Sequence, residues 1–263
     1  MRVLILTIAC AVAGLCVGSF LNVVIYRVPR RLSVVRPAPA CPGCGTPIAA
    51  YDNLPVLSWL LLQGRCRSCD EPISVRYPLV ELATAGLFAL LAVRFGASWT
   101  LPAELVFAAG LLALALIDGE HLILPRSVVY ASAALVAADL LAATIATRSW
   151  GRLLTALACS AGSFLAFFLV NFLRPAWLGF GDVRLSFLLG MALGWLSPWC
   201  LLIGFMAANL AGASVGIALI LAGKAKMSSR LPYGVFLATG AVVAIFAGDA
   251  IITGYRHAMQ GLH

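Results

Sequence analysis

Residues 199–222 read WCLLIGFMAANLAGASVGIALILA and contain no charged side chain. An apolar run of this length is typical of a helix that crosses a lipid bilayer, which takes about 20 residues. Seven further apolar segments have the predicted bounds 2–25, 78–95, 101–117, 128–147, 153–173, 183–196 and 235–255. The segment 183–196 is short, so we expect a shallow or tilted helix there. The sequence therefore predicts an all-α, polytopic membrane helix bundle of about eight spans.

The composition agrees with a membrane protein and excludes several other classes. Of the 263 residues, 62% are hydrophobic and 11% are charged, whereas soluble domains are about 45–50% apolar and about 25% charged. A soluble globular domain, a disordered chain and a disulfide-rich secreted domain are therefore excluded. The basic residues behind the net charge of +8 are not interleaved with aromatic residues on one segment. We therefore expect the lipid bilayer, and no nucleic acid, as a partner.

The distribution of positive charge predicts the topology. If the amino terminus is outside, 13 of the 18 Lys and Arg residues fall on the inner side, as the positive-inside rule requires. The longest inner segment is a loop near the amino terminus. The predicted parts are a first span at 1–26, a small cytoplasmic loop domain at 27–77 and a transmembrane core at 78–263.

Four cysteines in this loop form two Cys-x2-Cys pairs, Cys41 with Cys44 and Cys66 with Cys69. The spacing is typical of a four-thiolate structural zinc site, in which each pair supplies two corners of a tetrahedron. We expect a zinc-stapled loop, because a segment this small cannot sustain its own core. Two alternatives remain open: reduced thiols without a metal, and a redox role.

Two aspartates stand at the same predicted inner boundary of the membrane. Asp118 ends the third span and Asp182 begins the sixth. Two carboxyl groups at one depth can work as an aspartic-protease pair, one taking a proton from water and the other polarising the scissile carbonyl. Gly179 and Gly181 would leave room for an extended substrate backbone. Helix packing or an ion pathway are the alternative interpretations of these residues.

Helix ends suggest separate roles for the two carboxyl groups. Asp182 lies at a predicted helix amino terminus with Arg184 nearby, and both favour its anion. Asp118 lies at a helix carboxyl terminus, which disfavours an anion. We therefore expect Asp182 to be the ionised base and Asp118 the acid, although the pair would titrate as one unit.

Motifs in chain order resemble those of the type IV prepilin peptidases, bacterial members of the GxGD membrane aspartyl proteases. They are GSFLNVVIYRVP at 18–29, the two cysteine pairs, RYP at 76–78, LIDGEHLILP at 116–125 and GFGDVRL at 179–185. The sequence departs from the family pattern after Asp118, where Glu120 and His121 replace an Asp-rich stretch, and at Arg126 and Arg184. It also departs at 232–237, which read PYGVFL.

The resemblance implies an inner-membrane bacterial enzyme whose catalytic residues Asp118 and Asp182 face the cytoplasm. Such an enzyme removes the basic leader peptide from prepilins or pseudopilins, the precursors of subunits of type IV pilus and type II secretion systems. Many family members also methylate the new amino terminus with S-adenosylmethionine. The sequence has no glycine-rich nucleotide fingerprint, so methyl transfer rests on the resemblance alone.

Two other functions compete with proteolysis. The first is an ion or proton-coupled transporter that uses Asp118, Asp182 and Asp139 as relay sites. It predicts graded transport defects without proteolysis. The second is a scaffold whose zinc loop recruits partners, and it predicts that cysteine changes, but not aspartate changes, abolish function.

Overall fold

The computed structural model describes all residues except Pro42, Trp177, Ala225, 227–229 and 261–263. Within these residues the chain forms nine α-helices and one short 3-10 helix, Ala50–Asn53. The helices are α1 (Arg2–Arg27), α2 (Leu57–Leu61), α3 (Arg76–Phe95), α4 (Leu101–His121), α5 (Arg126–Thr147), α6 (Trp150–Leu173), α7 (Phe180–Leu196), α8 (Pro198–Leu221) and α9 (Tyr233–Gln260).

Seven helices in the described part of the chain are long and apolar enough to cross a membrane: α1, α3, α4, α5, α6, α8 and α9. The eighth predicted segment, 183–196, lies in α7, which has 17 residues. The prediction of an all-helical membrane bundle is confirmed, and the predicted count of about eight spans differs only in this short helix.

The chain divides into two compact units, Met1–Leu101 and Pro102–His263. In the first unit, α1 packs tightly on α3. A Cβ atom at Gly14 would lie 2.7 Å from Cα of Ala85, and one at Gly18 would lie 2.7 Å from Cα of Glu81. Glycines four residues apart let two membrane helices approach at backbone contact. The predicted parts 1–26, 27–77 and 78–263 stay a prediction.

The second unit is held by two further close helix pairs. In the pair α6 and α7, a Cβ atom at Gly190 would lie 2.6 Å from the carbonyl oxygen of Cys159. In the pair α8 and α9, a Cβ atom at Gly240 would lie 2.8 Å from the backbone nitrogen of Ala208. Close backbone contact gives van der Waals attraction in lipid, where the hydrophobic effect between helices is absent.

Helix α7 is the centre of the second unit. It packs on α5, α6, α8 and α9, and Leu185, Leu188 and Leu193 are almost completely buried. A helix that is apolar on all sides can be surrounded by protein instead of lipid. Because its neighbours fix α7, they also fix the residues of its first turn, where Asp182 lies.

Candidate functional site

Asp118 lies near the carboxyl end of α4, and only 5% of its surface is exposed. Its Oδ2 atom accepts a 2.8 Å hydrogen bond from the backbone N–H of Gly234, in the first turn of α9. The first N–H groups of a helix have no partner within the helix and bind acceptors such as a carboxyl oxygen. The start of α9 therefore holds the Asp118 side chain in place.

Asp182 is held in a similar way at the start of α7. It is the third residue of the helix, and its Oδ2 atom accepts a 3.2 Å hydrogen bond from the backbone N–H of Gly179. Its side chain is half-buried. Asp182 also lies close enough to Asp118 for their charges to interact. The structure thus brings together the two carboxyl groups that the sequence placed at one depth.

Leu124 packs between the two helix ends that carry these contacts. A Cβ atom at Gly181 would lie 2.9 Å from Cβ of Leu124, and a Cβ atom at Gly234 would lie 2.9 Å from its Cδ2. The Gly234 position is equally tight toward Oδ2 of Asp118, at 2.9 Å. Residues larger than glycine would therefore push Leu124 or the Asp118 carboxyl away.

The two glycines expected to face substrate have contacts within the site itself. Gly181 packs on Leu124, and Gly179 gives its N–H to Asp182. Both residues are partly or fully exposed, so their backbone remains accessible. Their predicted role in substrate binding stays a prediction, and their contacts give a separate reason for glycine at these positions.

A cleft of about 380 Å³ lies near Asp182, because its lining residue Tyr233 interacts with that carboxyl group. Its lining residues come from α6, the loop before α7, α8 and α9: Phe167, Val170, Leu178, Asn209 and Tyr233. The Tyr233 hydroxyl lies 3.2 Å from Oδ1 of Asn209, and Tyr233 is close enough to Asp182 for an electrostatic interaction. The site therefore combines a mainly apolar cleft with two adjacent carboxyl groups.

The four loop cysteines form two turns of the same design. The N–H of Cys41 donates to the Thr46 carbonyl, and the N–H of Cys66 donates to the Glu71 carbonyl. In each turn the residue after the second cysteine has a positive φ, Gly45 at 71° and Asp70 at 56°. Glycine and aspartate tolerate this conformation better than most residues. Two tight turns therefore present the cysteine pairs.

The geometry of the four sulfurs fits a tetrahedral metal ion. The Sγ atoms of Cys41, Cys44, Cys66 and Cys69 all lie within 4.8 Å of one another. Those of Cys41 and Cys69 are 3.7 Å apart. Zinc with Zn–S bonds of about 2.3 Å separates its sulfur ligands by about 3.8 Å. The predicted cluster is confirmed as a group that could hold a metal ion.

Two other carboxyl groups in apolar segments have different surroundings. Oε2 of Glu81 accepts a 2.7 Å hydrogen bond from the N–H of Val56. Glu104 is 1% exposed, and neither of its oxygens has a hydrogen-bond partner among the described residues. The contact with Val56 therefore supplies a partner for Glu81 alone.

Sequence reasoning missed Gly234, Leu124 and Tyr233 as parts of the site. In the sequence, the segment PYGVFL at 232–237 is distinctive only as a departure from the family pattern. A proline two residues before Gly234 is a signal for a helix amino terminus, and such a terminus offers free N–H groups. The sequence does not show which acceptor those groups would meet.

Comparisons with known proteins match nearly the whole chain. The family model described as the bacterial peptidase A24 N-terminal domain matches residues 12–95, and that of the type IV leader peptidase family matches residues 105–248. Comparison with solved structures gave no match.

Curated relatives agree with the family models. A protein of Myxococcus xanthus is named prepilin leader peptidase/N-methyltransferase and is 45% identical to this chain. The match covers 80% of this chain and 62% of that protein's length. A relative of the same name from Stutzerimonas stutzeri is 34% identical over 94% of this chain and 93% of its own length. One from Bacillus subtilis is 32% identical over 92% of this chain. These matches confirm the family and the membrane peptidase predicted from the motifs.

The chain belongs to the type IV leader peptidase family.

Proposed function

We propose that this enzyme removes the basic leader peptide from prepilins or pseudopilins at the cytoplasmic face of the bacterial inner membrane, using Asp118 and Asp182 as an aspartyl dyad. The relatives' names support the substrate class. The observation that carries the dyad is the approach of the two carboxyl groups, each held by a backbone N–H at a helix start.

The hydrolysis uses one shared proton. The ionised carboxylate accepts a proton from a water molecule, whose oxygen attacks the carbonyl carbon of the scissile peptide bond. The protonated carboxyl donates a hydrogen bond to the carbonyl oxygen and stabilises the charge that develops there. When the C–N bond breaks, the carboxyl that took the proton from water passes it to the departing nitrogen, which returns the pair to its starting protonation state. The products are the leader, with a new carboxyl group, and the shortened pilin, with a new amino terminus.

The surroundings favour Asp182 as the base. Its side chain is only half-buried, so water reaches it, and the start of α7 supports a negative charge. Asp118 lies in the last turn of α4, and the carboxyl end of a helix disfavours a negative charge. A neutral Asp118 still accepts the Gly234 hydrogen bond through one oxygen while its other oxygen carries the proton. Because that hydrogen bond would also support an Asp118 anion, the pair titrates as one unit.

The charge and shape of the expected substrate suit the site. An enzyme that cuts between a basic leader and an apolar helix needs an active site with one side open to water and another side that is apolar. The half-buried Asp182 and the apolar cleft beside Tyr233 supply these two environments. The exposed backbone of Gly179 and Gly181 gives an extended peptide room to approach Asp182.

Zinc is the metal that best fits the cysteine cluster. Four thiolates in tetrahedral spacing leave no open position for water, so the ion would staple the loop and take no part in hydrolysis. Methylation of the new amino terminus is proposed from the relatives' names. S-adenosylmethionine would supply the methyl group, and no step of the hydrolysis uses it.

A reconstituted assay tests the proposed reaction. The protein in lipid vesicles would receive a prepilin with a basic leader, and mass spectrometry would follow the loss of the leader and the mass of the new amino terminus. The proposal requires cleavage before the apolar helix without an added soluble protein. A transporter would leave the prepilin intact and move ions across the vesicle membrane.

A further inference from the structure

The short helix α2 in the cysteine-containing unit has an exposed apolar face. Leu57, Leu60 and Leu61 are 58%, 58% and 80% exposed. Their spacing of three and four residues places them on one side of the helix. A soluble loop that exposed three leucines on one face would be a liability in water. We define these three residues as the α2 leucine face.

The other side of α2 is fixed to its own unit. The hydroxyl of Ser58 donates to the Tyr51 carbonyl at 3.0 Å and accepts from the Leu54 N–H at 3.1 Å. The indole Nε1–H of Trp59 donates to the Ile73 carbonyl at 3.0 Å. The leucine face therefore lies opposite the side of α2 that makes these hydrogen bonds. Helix α2 cannot rotate about its axis to bury the leucines without breaking these bonds.

A contact with α3 sets the level of α2 along that helix. The N–H of Val56, the residue before α2, donates a 2.7 Å hydrogen bond to Oε2 of Glu81. Val56 has a φ of 60°, which is a genuine outlier for a β-branched residue. Glu81 is 7% exposed, so its carboxylate is committed to this contact. The start of α2 is thus tied to the second turn of α3.

The second turn of α3 lies inside the apolar part of that span. Glu81 follows the first residue, Arg76, by five positions, which is about 7.5 Å along a helix. The 20 residues of α3 extend about 30 Å, which matches the hydrocarbon thickness of a bilayer. Helix α2 is therefore held at the depth where the membrane interface meets the acyl chains.

The surroundings of this contact fit lipid. Leu79 and Leu82, on either side of Glu81 in α3, are 57% and 52% exposed and belong to a helix long and apolar enough to cross a membrane. Arg65 follows the last residue of α2 by four positions and is exposed, and the same unit exposes Arg30 and Arg31 after α1. Exposed basic side chains in a unit that also exposes an apolar face favour a membrane surface with anionic headgroups.

We propose that α2 is an interfacial helix that inserts its leucine face into an anionic bilayer. The cysteine-containing segment would then be attached to the membrane at a second point, in addition to the spans α1 and α3. Because α2 adds no charge to the inserted face, binding comes from the leucines, while the arginines remain at the headgroups.

A Leu61→Trp variant tests this proposal, because Leu61 is 80% exposed and its replacement disturbs no internal packing. The variant and the wild type would be placed in vesicles of phosphatidylcholine and phosphatidylglycerol, with and without bromine on an acyl carbon close to the headgroup. The difference between their emission spectra reports on the added indole. We expect blue-shifted emission and at least about twofold quenching by the brominated lipid.

An Ile48→Trp variant is the matched control, since Ile48 is an exposed apolar residue of the first cysteine turn, 42% exposed. Its added emission should show little quenching by brominated lipid and strong quenching by acrylamide. If acrylamide, and not brominated lipid, quenches Leu61→Trp, α2 lies in water or against a protein and the proposal fails. Equal lipid quenching of both variants would also overturn it, because insertion would not be specific to α2.

Discussion

Asp118 and Gly234 are joined by a 2.8 Å hydrogen bond across 116 positions of sequence, from a backbone N–H at the start of α9 to a carboxyl oxygen near the end of α4. The bond gives α9 a direct part in positioning one of the two proposed catalytic carboxyls. It also explains why position 234 is a glycine: a Cβ atom there would lie 2.9 Å from the same carboxyl oxygen.

Replacing Gly234 with alanine should reduce leader cleavage sharply while leaving the protein folded. The added methyl group would displace the Asp118 carboxyl by a fraction of an ångström to about 1 Å, and such a shift of a catalytic group costs roughly 100-fold. The rate constant kcat should fall more than the affinity for prepilin. Gly254→Ala in the same helix is the control, because a Cβ atom there meets nothing within 4 Å. Equal activity of both variants would argue against this role of α9.

The assignment of base and acid predicts a particular change in the pH profile. Cleavage should fall at low pH when the base Asp182 is protonated, and at high pH when the acid Asp118 loses its proton. Asp118→Glu should therefore move the high-pH limb of kcat/KM, and Asp182→Glu should move the low-pH limb. If Asp118→Glu moved only the low-pH limb, the two roles would be exchanged.

Any side chain at Gly190 should weaken the contact between α6 and α7. A Cβ atom added there would lie 2.6 Å from Cα of Ser160, and overpacking of a tight interface costs about 1–3 kcal/mol of folding free energy. Gly190→Ala should lower the thermal unfolding temperature in detergent. Gly162→Ala, where the added methyl group meets nothing within 4 Å, should leave stability unchanged or raised. The opposite order would show that the packing of α7 is looser than described.

Without a bound metal ion, the four cysteines should differ in reactivity. A side-chain hydrogen bond and a backbone hydrogen bond to Thr46 lower the pKa of the Cys44 thiol to about 6. The Glu71 backbone favours the Cys69 thiolate, but hydrogen bonding to Cys44 and desolvation outweigh it and raise the Cys69 pKa to about 12. At pH 7 the reactive thiolate is therefore abundant at Cys44 and scarce at Cys69.

Iodoacetamide labelling followed by peptide mass spectrometry checks this order. Reduced, metal-free protein at pH 7 should be alkylated first at Cys44, and Thr46→Val should slow that reaction because it removes the side-chain hydrogen bond. The metal-bound protein should be labelled slowly at all four positions. Fast labelling of the metal-bound protein would contradict a four-thiolate site.

A chelator should show whether the proposed metal ion is structural or takes part in catalysis. If the ion only staples the loop, leader cleavage should survive the first minutes of chelation and decline over hours as the loop unfolds. Cys66→Ser should reduce the amount of folded protein more than the activity per folded molecule. Instant loss of turnover would indicate a metal that takes part in the reaction.

Features that depend on a short stretch of sequence could be predicted from the sequence. Apolar runs predicted the spans, and the two Cys-x2-Cys pairs predicted a cluster whose sulfurs converge in the structure. Asp118 and Asp182 were predicted at the same membrane boundary, because each residue stands next to the end of one predicted span. These features need no knowledge of how the helices are arranged.

Features that depend on helix arrangement were not predictable. Apolar length alone cannot distinguish a helix buried in protein from one that faces lipid, so the sequence does not show that α7 is surrounded by other helices. Contacts between distant segments, such as Leu124 with Gly181 and Gly234, have no local signal. The unpaired Glu104 has no explanation in the described contacts.

Leader cleavage by three matched asparagine variants in lipid vesicles tests the dyad most directly. Asp118→Asn and Asp182→Asn should each lower the cleavage rate by at least about 100-fold, with unchanged folding. Asp139→Asn, which removes a carboxyl from the interior of α5, should cut at nearly the wild-type rate. Substantial cleavage by either Asp118→Asn or Asp182→Asn would contradict the proposed mechanism.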